Sequence, residues 1–313
     1  MYQQRQQQQP QQPQQQQPSF NDLYNLQRQI NPQANTAIDP ELHRLLTQFL
    51  YGPAKDQALN ELGKRRDQYP ELAIILWNSF GLMTACMHEV LSIMPALTTR
   101  TLTSQQSNQV CNALALFQSV ASHPETRTAF LHTQIPLFLY PLLNTHAQNP
   151  NEEKQYEFLK LTTLGIIGAL VKQDSPEVIN FLIATEIVPI CLNIMKNSTD
   201  LNKTMAIFIV NKVLNDKSGF EYICQTIERF DAVCNVLADM INDIKLTNGQ
   251  STDRGGSRVL RHIIKCYFRL ADYNDGKILL RQKLPKEFTN GWEIIKEESA
   301  DDLVKELVKK VYE

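Results

Sequence analysis

Hydrophobic and polar positions recur in the same order along this chain. In four stretches, an apolar helical pattern ends at a polar turn, a short helical segment with an apolar pair follows, and a further helix then opens, often at proline. The stretches begin at Val120, Leu170, Val213 and Leu270. Their spacing is roughly the forty-odd-residue period of armadillo and HEAT units. The pattern predicts an all-α, right-handed solenoid of about six armadillo- or HEAT-like repeats, an architecture that usually binds other molecules.

Apolar periodicity also locates the long helices of these units. It predicts them over residues 71–94, 107–120, 158–172, 201–215 and 258–271. The first is apolar nearly all round, as expected for a buried helix. Gly165 and Gly168 lie inside the third of these helices. Glycine lowers the stability of a helix, so its presence here indicates that another group approaches the backbone closely. The polar stretch 246–256 is predicted to be the longest loop.

The composition divides the chain into three parts. Residues 1–37 are dominated by glutamine with interspersed proline, which predicts a disordered tail. Residues 38–290 form the predicted armadillo-repeat domain, and residues 291–313 form a C-terminal helical extension.

Charge changes the picture at one helix. The formal net charge is -2, so nucleic-acid binding would need a local basic patch. Arg258, Arg261, Lys265 and Arg269 recur at helical spacing and predict one basic stripe. Two interpretations remain open: weak contact with single-stranded nucleic acid or an acidic peptide, and an ordinary solvated face.

Catalytic signals are missing from the sequence. No phosphate-binding loop, hydrolase motif or metal-ligand spacing occurs, so we expect no enzyme activity, metal or cofactor. The six cysteines are scattered through apolar helical segments, which is typical of buried free thiols. His123, before Pro124, is expected to cap a helix, and His88 to be a core or interface histidine. The most apolar run, 161–171, is too short to span a bilayer, so no membrane contact is expected.

Several longer motifs resemble one known family. They are Trp77–Gly81, Asn112–Leu116, Val120–Leu143, Leu164–Lys172, Tyr222–Thr226 and Leu260–Asp272. They are similar to the "required for cell differentiation" family, known in fungi as Caf-forty, the armadillo-repeat subunit of the CCR–NOT mRNA deadenylase complex. The resemblance runs from about Leu42 to about Pro285 and leaves the last helix, 301–311, outside. It implies a non-catalytic adaptor in mRNA decay and translational repression, in the cytoplasm, including mRNA-decay bodies, and in the nucleus.

The resemblance also implies two binding sites. The family docks on the NOT scaffold subunit through the long helix of its first unit, which corresponds here to Trp77, Asn78, Phe80, Thr84 and Leu91. Several relatives have histidine at position 78 and alanine at position 84, so this match is partial.

The family's concave groove receives short helical motifs of RNA-binding regulators. The matching positions are Phe158, Leu161, Gly165 and Met205. The first three lie at helical spacing, and a small residue between large apolar ones is typical of a slot for a partner helix. The alternative that Phe158 and Leu161 are core residues remains open.

A further site of animal members is expected to be absent. Their pockets for tryptophans of silencing proteins need an aromatic residue, a histidine, an arginine and a small residue. This chain has Ile227, Ala232, Asp275 and Leu279 there and retains only Arg229.

Two other function classes remain as alternatives. One is a nucleic-acid-binding transcription cofactor that uses the basic stripe, and the other is a homodimer or larger homo-oligomer formed through apolar outer faces.

Overall fold

The computed structural model describes residues 39–147, 149–246, 254–290 and 298–313, and these ranges contain helices and turns but no strand. The predicted tail, 1–37, lies outside them. The all-α solenoid prediction is confirmed. The helices are α1 (Pro40–Tyr51), α2 (Lys55–Arg65), α3 (Leu72–Asn78), α4 (Leu82–Ser92), α5 (Met94–Thr99), α6 (Ser104–Ser122), α7 (Pro124–His132), α8 (Ile135–Leu143), α9 (Glu153–Val171), α10 (Pro176–Ala184), α11 (Ile187–Asn197), α12 (Asp200–Asn215), α13 (Lys217–Cys224), α14 (Ile227–Leu246), α15 (Arg254–Leu270), α16 (Lys277–Lys283), α17 (Lys286–Asn290) and α18 (Glu298–Tyr312), with short 3-10 turns at Arg66–Gln68, Pro150–Glu152 and Asn274–Gly276.

A three-helix unit repeats along the chain. A long helix is followed by a short helix and then a third helix in α6–α8, α9–α11, α12–α14 and α15–α17. The long helices α6, α9, α12 and α15 pack against one another in chain order. Each unit therefore buries its apolar surface against its neighbours, which is how a solenoid builds a continuous core.

The polar turns that punctuate the sequence pattern start the short helices. Pro124 and Pro176 occupy the first position of α7 and α10, where a missing N–H costs nothing. Before α7, the Nδ1 atom of His123 accepts a hydrogen bond from the backbone N–H of Glu125. Before α13, the carboxylate of Asp216 accepts from the first backbone N–H groups of the helix. The predicted capping role of His123 is confirmed.

The cysteines belong to this core. All six are buried and unpaired. Burial raises the pKa of the Cys86, Cys191 and Cys266 thiols to about 12, so they remain protonated and unreactive at neutral pH. The prediction of free buried thiols is confirmed.

The predicted helix over 71–94 is wrong as one element, because the chain breaks between α3 and α4. Gly81 has φ +85°, a left-handed conformation that glycine adopts without steric cost. The two segments are bent by 89° at the break. Phe80 lies in the break rather than in a helix, and 76% of its surface is exposed. Local glycine geometry thus places an aromatic side chain on the surface of the first unit.

The predicted loop over 246–256 is also wrong at its C-terminal end. Helix α15 already begins at Arg254 and includes the Gly255–Gly256 pair. Glycine has weak helix propensity, but packing of an amphipathic face supplies most helix stability in proteins. The buried Ile263, Ile264 and Tyr267 supply that face here. Residues 247–253 lie outside the described ranges.

The last helix closes the stack of units. Helix α18 packs against α15, α16 and α17, and it buries Val304, Leu307 and Val311. The guanidinium of Arg281 donates to the carbonyl of Val311, at 2.7 Å. The end of the solenoid is therefore covered by a helix whose outer face is charged.

A buried carboxylate connects neighbouring units. Glu157 of α9 accepts hydrogen bonds from the Ser198 hydroxyl, the Thr199 N–H (3.0 Å) and the Asn202 amide (2.8 Å), and it pairs with buried Lys160 at 2.8 Å. Burial alone would raise the pKa of Glu157, but these hydrogen bonds outweigh burial and lower the pKa to about 2. The network fixes the start of α12 against α9.

We expect Glu157→Ala to lower the free energy of unfolding by about 3–5 kcal/mol, because it leaves Lys160 buried without its partner. Urea denaturation followed by circular dichroism measures the change. The double variant Glu157→Gln with Lys160→Met is the control and should lose much less. The depressed pKa also implies that this contribution is present above the ordinary value of 4.5 and is lost as the pH falls towards 2. A loss below about 1 kcal/mol in Glu157→Ala would contradict this account.

Candidate functional site

The four predicted groove residues line one cavity. Phe158, Leu161 and Gly165 of α9 and Met205 of α12 surround a space of about 360 Å³. The remaining lining comes from the 3-10 turn after α2, from α6 and from α9: Arg66, Cys111, Asn112, Ala115, Gln118 and Thr162. Residues that are far apart in the sequence are thus brought together because the long helices lie side by side.

The exposed face of α9 forms the floor of this cavity. Phe158, Leu161 and Gly165 recur at helical spacing, and the opposite face buries Leu159 and Ile166. Phe158 is 47% exposed and Leu161 is half-buried, so Phe158 is not a core residue. A half-exposed aromatic side chain on the same helix face as a glycine leaves apolar surface available to a partner.

Two glycines allow the close helix packing around the groove. A Cβ atom on Gly165 would lie 3.1 Å from Nε2 of Gln118, which also donates to the Gly165 carbonyl at 3.4 Å. A Cβ atom on Gly168 would lie 2.9 Å from the terminal methyl of Met205. The predicted close approaches therefore involve α6 at Gly165 and α12 at Gly168.

Sequence reasoning missed four polar lining residues. Asn112 and Gln118 lie on α6, Thr162 lies on α9, and Arg66 follows α2. The polar side chains that interrupt the apolar run of α6 were the available signal for the first two. No local pattern indicated Arg66, whose guanidinium donates to the Gly63 carbonyl at 2.9 Å.

A second exposed surface, with two apolar residues among polar ones, lies on the first unit, and we call Asn78, Phe80, Thr84, His88 and Leu91 the α3–α4 surface. All five are exposed. Thr84, His88 and Leu91 share one face of α4, while Leu82, Cys86 and Val90 face the core. The buried face of α4 is the one opposite His88, so the prediction of a core position for His88 is wrong. The alternative, an interface position for His88, remains a prediction.

Trp77 differs from the other predicted docking residues. It is half-buried and packs against the core at the end of α3. Only part of its ring is therefore available to a partner.

The two surfaces use different elements. The α3–α4 surface contributes no residue to the groove cavity, which α6, α9 and α12 line with Arg66. A substitution on one surface can therefore be made without touching the other.

The basic stripe is shorter than the sequence predicted. Arg258, Arg261 and Lys265 are exposed on α15. Arg269 is half-buried: its Nε donates to the Leu214 carbonyl at 3.1 Å. Its guanidinium also pairs with Asp272 at 2.7 Å and lies 4.2 Å from the centre of the Phe220 ring. The prediction that Arg269 belongs to the exposed basic stripe is therefore wrong, because its side chain donates to a backbone carbonyl in the last turn of α12.

One ring contact links the basic helix to α12, the helix that contributes Met205 to the groove. The Phe208 ring of α12 meets the His262 ring edge-on at 5.9 Å, and a ring carbon of Phe208 lies 3.9 Å from the position of a Cβ on Gly168. Burial, with a smaller effect of Lys265, lowers the pKa of His262. His262 is thus uncharged at neutral pH. Its ring connects Phe208 of α12 to the basic helix α15.

The positions that correspond to the tryptophan pockets are arranged differently. Ile227 projects into solvent, Ala232 and Asp275 are exposed, and Leu279 is half-buried. The retained Arg229 donates to the Tyr222 carbonyl at 3.2 Å and lies 4.1 Å from the centre of the Tyr222 ring. The one matching residue is therefore engaged by its own chain.

Metal-ligand clusters and membrane-length helices are both absent from the described ranges. No group of three His, Cys, Asp or Glu residues there has the geometry of a metal site. In the same part of the chain, no single helix is long and apolar enough to cross a bilayer, and the two helix pairs that have the length and composition are bent by 89° and 78°.

Comparison with known proteins identifies the family. The model of the cell differentiation family, Rcd1-like, matches residues 45–311. The protein CAF40 of Saccharomyces cerevisiae is 51% identical over 247 residues, which cover 79% of this chain and 64% of that relative, slightly under two thirds of its length. The cell differentiation protein rcd1 of Schizosaccharomyces pombe is 51% identical over 245 residues, or 78% of this chain and 83% of that relative.

The matched range corrects the expected limits of the resemblance. It reaches residue 311 and so includes most of α18, which was expected to lie outside. The buried Val304, Leu307 and Val311 explain the difference, because they make this helix part of the packed stack. With a match over most of its length, the chain belongs to the Rcd1-like cell differentiation family.

Proposed function

We propose that this chain is a non-catalytic adaptor subunit of the CCR–NOT mRNA deadenylation complex, acting in the cytoplasm and the nucleus. It docks on the NOT scaffold through the α3–α4 surface and captures short helical motifs of mRNA-decay or translational-repression regulators in the groove. The observation that carries the proposal is the convergence of Phe158, Leu161, Gly165 and Met205 on one open cavity. Membership of the family supports the assignment to this complex.

The groove has the chemistry of a receptor for an amphipathic helix. Such receptors offer an apolar channel into which side chains at positions i, i+3, i+4 and i+7 of the partner insert. Phe158 supplies an exposed aromatic wall, Met205 supplies an adaptable side chain, and Gly165 leaves the space between them open. Each feature favours apolar side chains of a partner over a polar small molecule.

The α3–α4 surface has the chemistry of a docking site for a larger partner. Most of the Phe80 side chain is exposed to water in this chain. Exposed aromatic residues of this kind often become buried at the centre of an interface when a partner binds, and they then carry much of the binding energy. Leu91 on the adjacent face of α4 extends the apolar contact.

Photo-crosslinking in the native cell tests both assignments. A benzophenone amino acid at position 161 should crosslink regulators, and the same group at position 80 should crosslink the scaffold. Position 138 is the matched control, because Phe138 is also exposed but lies on α8, outside both surfaces. The same partners captured from all three positions would contradict the proposal.

A second candidate function is weak binding of single-stranded nucleic acid, favoured by the exposed stripe on α15. We expect Arg258→Gln with Arg261→Gln to weaken RNA binding similarly across sequences and to reduce the salt slope by up to about two units. Fluorescence anisotropy at several salt concentrations measures both effects. Lys217→Gln with Lys286→Gln removes the same charge from exposed positions on α13 and α17 and serves as the control. Unchanged affinity in the α15 variant would leave the stripe a solvated face.

A further inference from the structure

We propose that the groove selects helical motifs with an acidic end, which Arg258 and Lys265 hold about four to five helical turns away from the apolar anchor. This inference rests on the proposed capture of helical motifs and specifies their chemistry.

The groove and the basic helix form one continuous surface. The apolar slot lies between α6 and α9, with Met205 of α12 at its edge, and Met205 and Phe208 of α12 both approach Gly168. Phe208 in turn contacts His262 of α15. A partner helix that lies along the groove and crosses the long helices therefore passes from the slot onto α15.

The distribution of charge along this path is uneven. On α12, Lys203 pairs with Asp243 at 2.7 Å, and Lys212 pairs with Asp174 at 2.6 Å. These pairs neutralise the two lysines of α12. On α15, Lys265 is exposed and forms no ion pair with the described residues.

Arg258 is a second exposed cation of the same kind as Lys265. It is exposed one turn before His262 and has no salt-bridge partner among the described residues. Arg261 lies between the two and adds a third positive charge, although it has contacts within the chain. The far end of the groove thus presents positive charge to a partner whose apolar side chains fill the slot.

Helix geometry sets the expected spacing in the partner. Packed helices lie about 8–10 Å apart, and the path from the slot between α6 and α9 to α15 crosses α9 and α12, so the centre of the slot is about 20–25 Å from the axis of α15. A partner helix rises about 1.5 Å per residue, and this distance corresponds to about 13–17 residues. Acidic side chains about four to five turns from the anchor therefore reach Arg258 and Lys265.

The neighbouring apolar slot favours a peptide over RNA as the occupant. Nucleic-acid affinity comes mainly from many phosphate contacts, and the three cations of α15 that are exposed among the side chains described there provide few. An amphipathic helix with an acidic end uses both the apolar and the positive part of the surface.

Selection from a random peptide library tests the inference on the full-length chain. The library displays peptides of about 20 residues, or about 30 Å as a helix. Peptides that bind the wild-type chain but not the Gly165→Trp variant define groove-dependent ligands. We expect these ligands to carry Asp or Glu about 13–17 residues from an apolar anchor. Selection on a chain with Arg258→Glu and Lys265→Glu should instead enrich Lys or Arg there.

The same charge-reversed chain should bind a selected acidic peptide about 5- to 30-fold more weakly, as expected for two rim ion pairs. Lys217→Glu with Lys286→Glu makes an equal charge change at exposed positions outside the groove and should have no effect. Groove-dependent peptides without acidic preference, or an RNA oligomer that responds to charge reversal when the peptides do not, would overturn the inference. Failure to recover any groove-dependent peptide would instead overturn the proposed function.

Discussion

Phe80→Glu is expected to release this chain from the NOT scaffold while leaving it folded. Phe80 is 76% exposed and lies in the break between α3 and α4, so its ring contributes little to the core. Truncation of a central interface residue costs about 2–4 kcal/mol, and a buried unpaired carboxylate adds a desolvation cost. We therefore expect an affinity loss of about 100-fold or more, measured with the purified scaffold subunit by calorimetry.

Phe138→Glu provides the matched control for this substitution. Phe138 is 54% exposed on α8, away from the α3–α4 surface, and its replacement should leave scaffold affinity unchanged. Circular dichroism and thermal unfolding of both variants should resemble those of the wild type. An unfolded Phe80→Glu chain would show that Phe80 stabilises the core and that its assignment to docking is wrong.

Gly165→Trp and Met205→Glu are expected to abolish capture of regulator peptides and to spare scaffold binding. At Gly165, the nearest group to a new Cβ is the flexible amide of Gln118, so the indole can enter the groove without displacing backbone. At Met205, a carboxylate would be buried beneath an apolar partner helix without a counterion. We expect each variant to lose about 100-fold or more in peptide affinity, measured by fluorescence anisotropy.

Conservative changes at the same positions separate blockage from misfolding. Gly165→Ala adds only a Cβ beside Gln118 and should keep peptide affinity, because the slot stays open. Met205→Leu preserves the apolar volume and should also bind. Loss of peptide and scaffold binding together in Gly165→Trp would indicate a general folding defect and would contradict two separate sites.

The repeat architecture was predictable because it depends on signals that recur. Apolar periodicity located the long helices, and the turns before Pro124 and Pro176 marked their ends. The helical spacing of Phe158, Leu161 and Gly165 in the sequence was sufficient to place them on one face of α9. These features follow from local chemistry repeated in each unit.

Features that depend on a single contact were not predictable in the same way. The break at Gly81 depends on one left-handed glycine inside an otherwise helical pattern. The loss of Arg269 from the stripe depends on the Leu214 carbonyl, which is 55 residues away in the sequence. The inclusion of α18 in the fold depends on burial of three apolar residues against the end of the stack.

The most direct test of the two-site account is quantitative mass spectrometry of complexes purified with the tagged full-length chain from its native cells. The account predicts that Phe80→Glu loses the scaffold and deadenylase subunits together, whereas Gly165→Trp retains them and loses the regulators that crosslink to position 161. Retention of scaffold and deadenylase subunits at wild-type levels by a folded Phe80→Glu chain would contradict it.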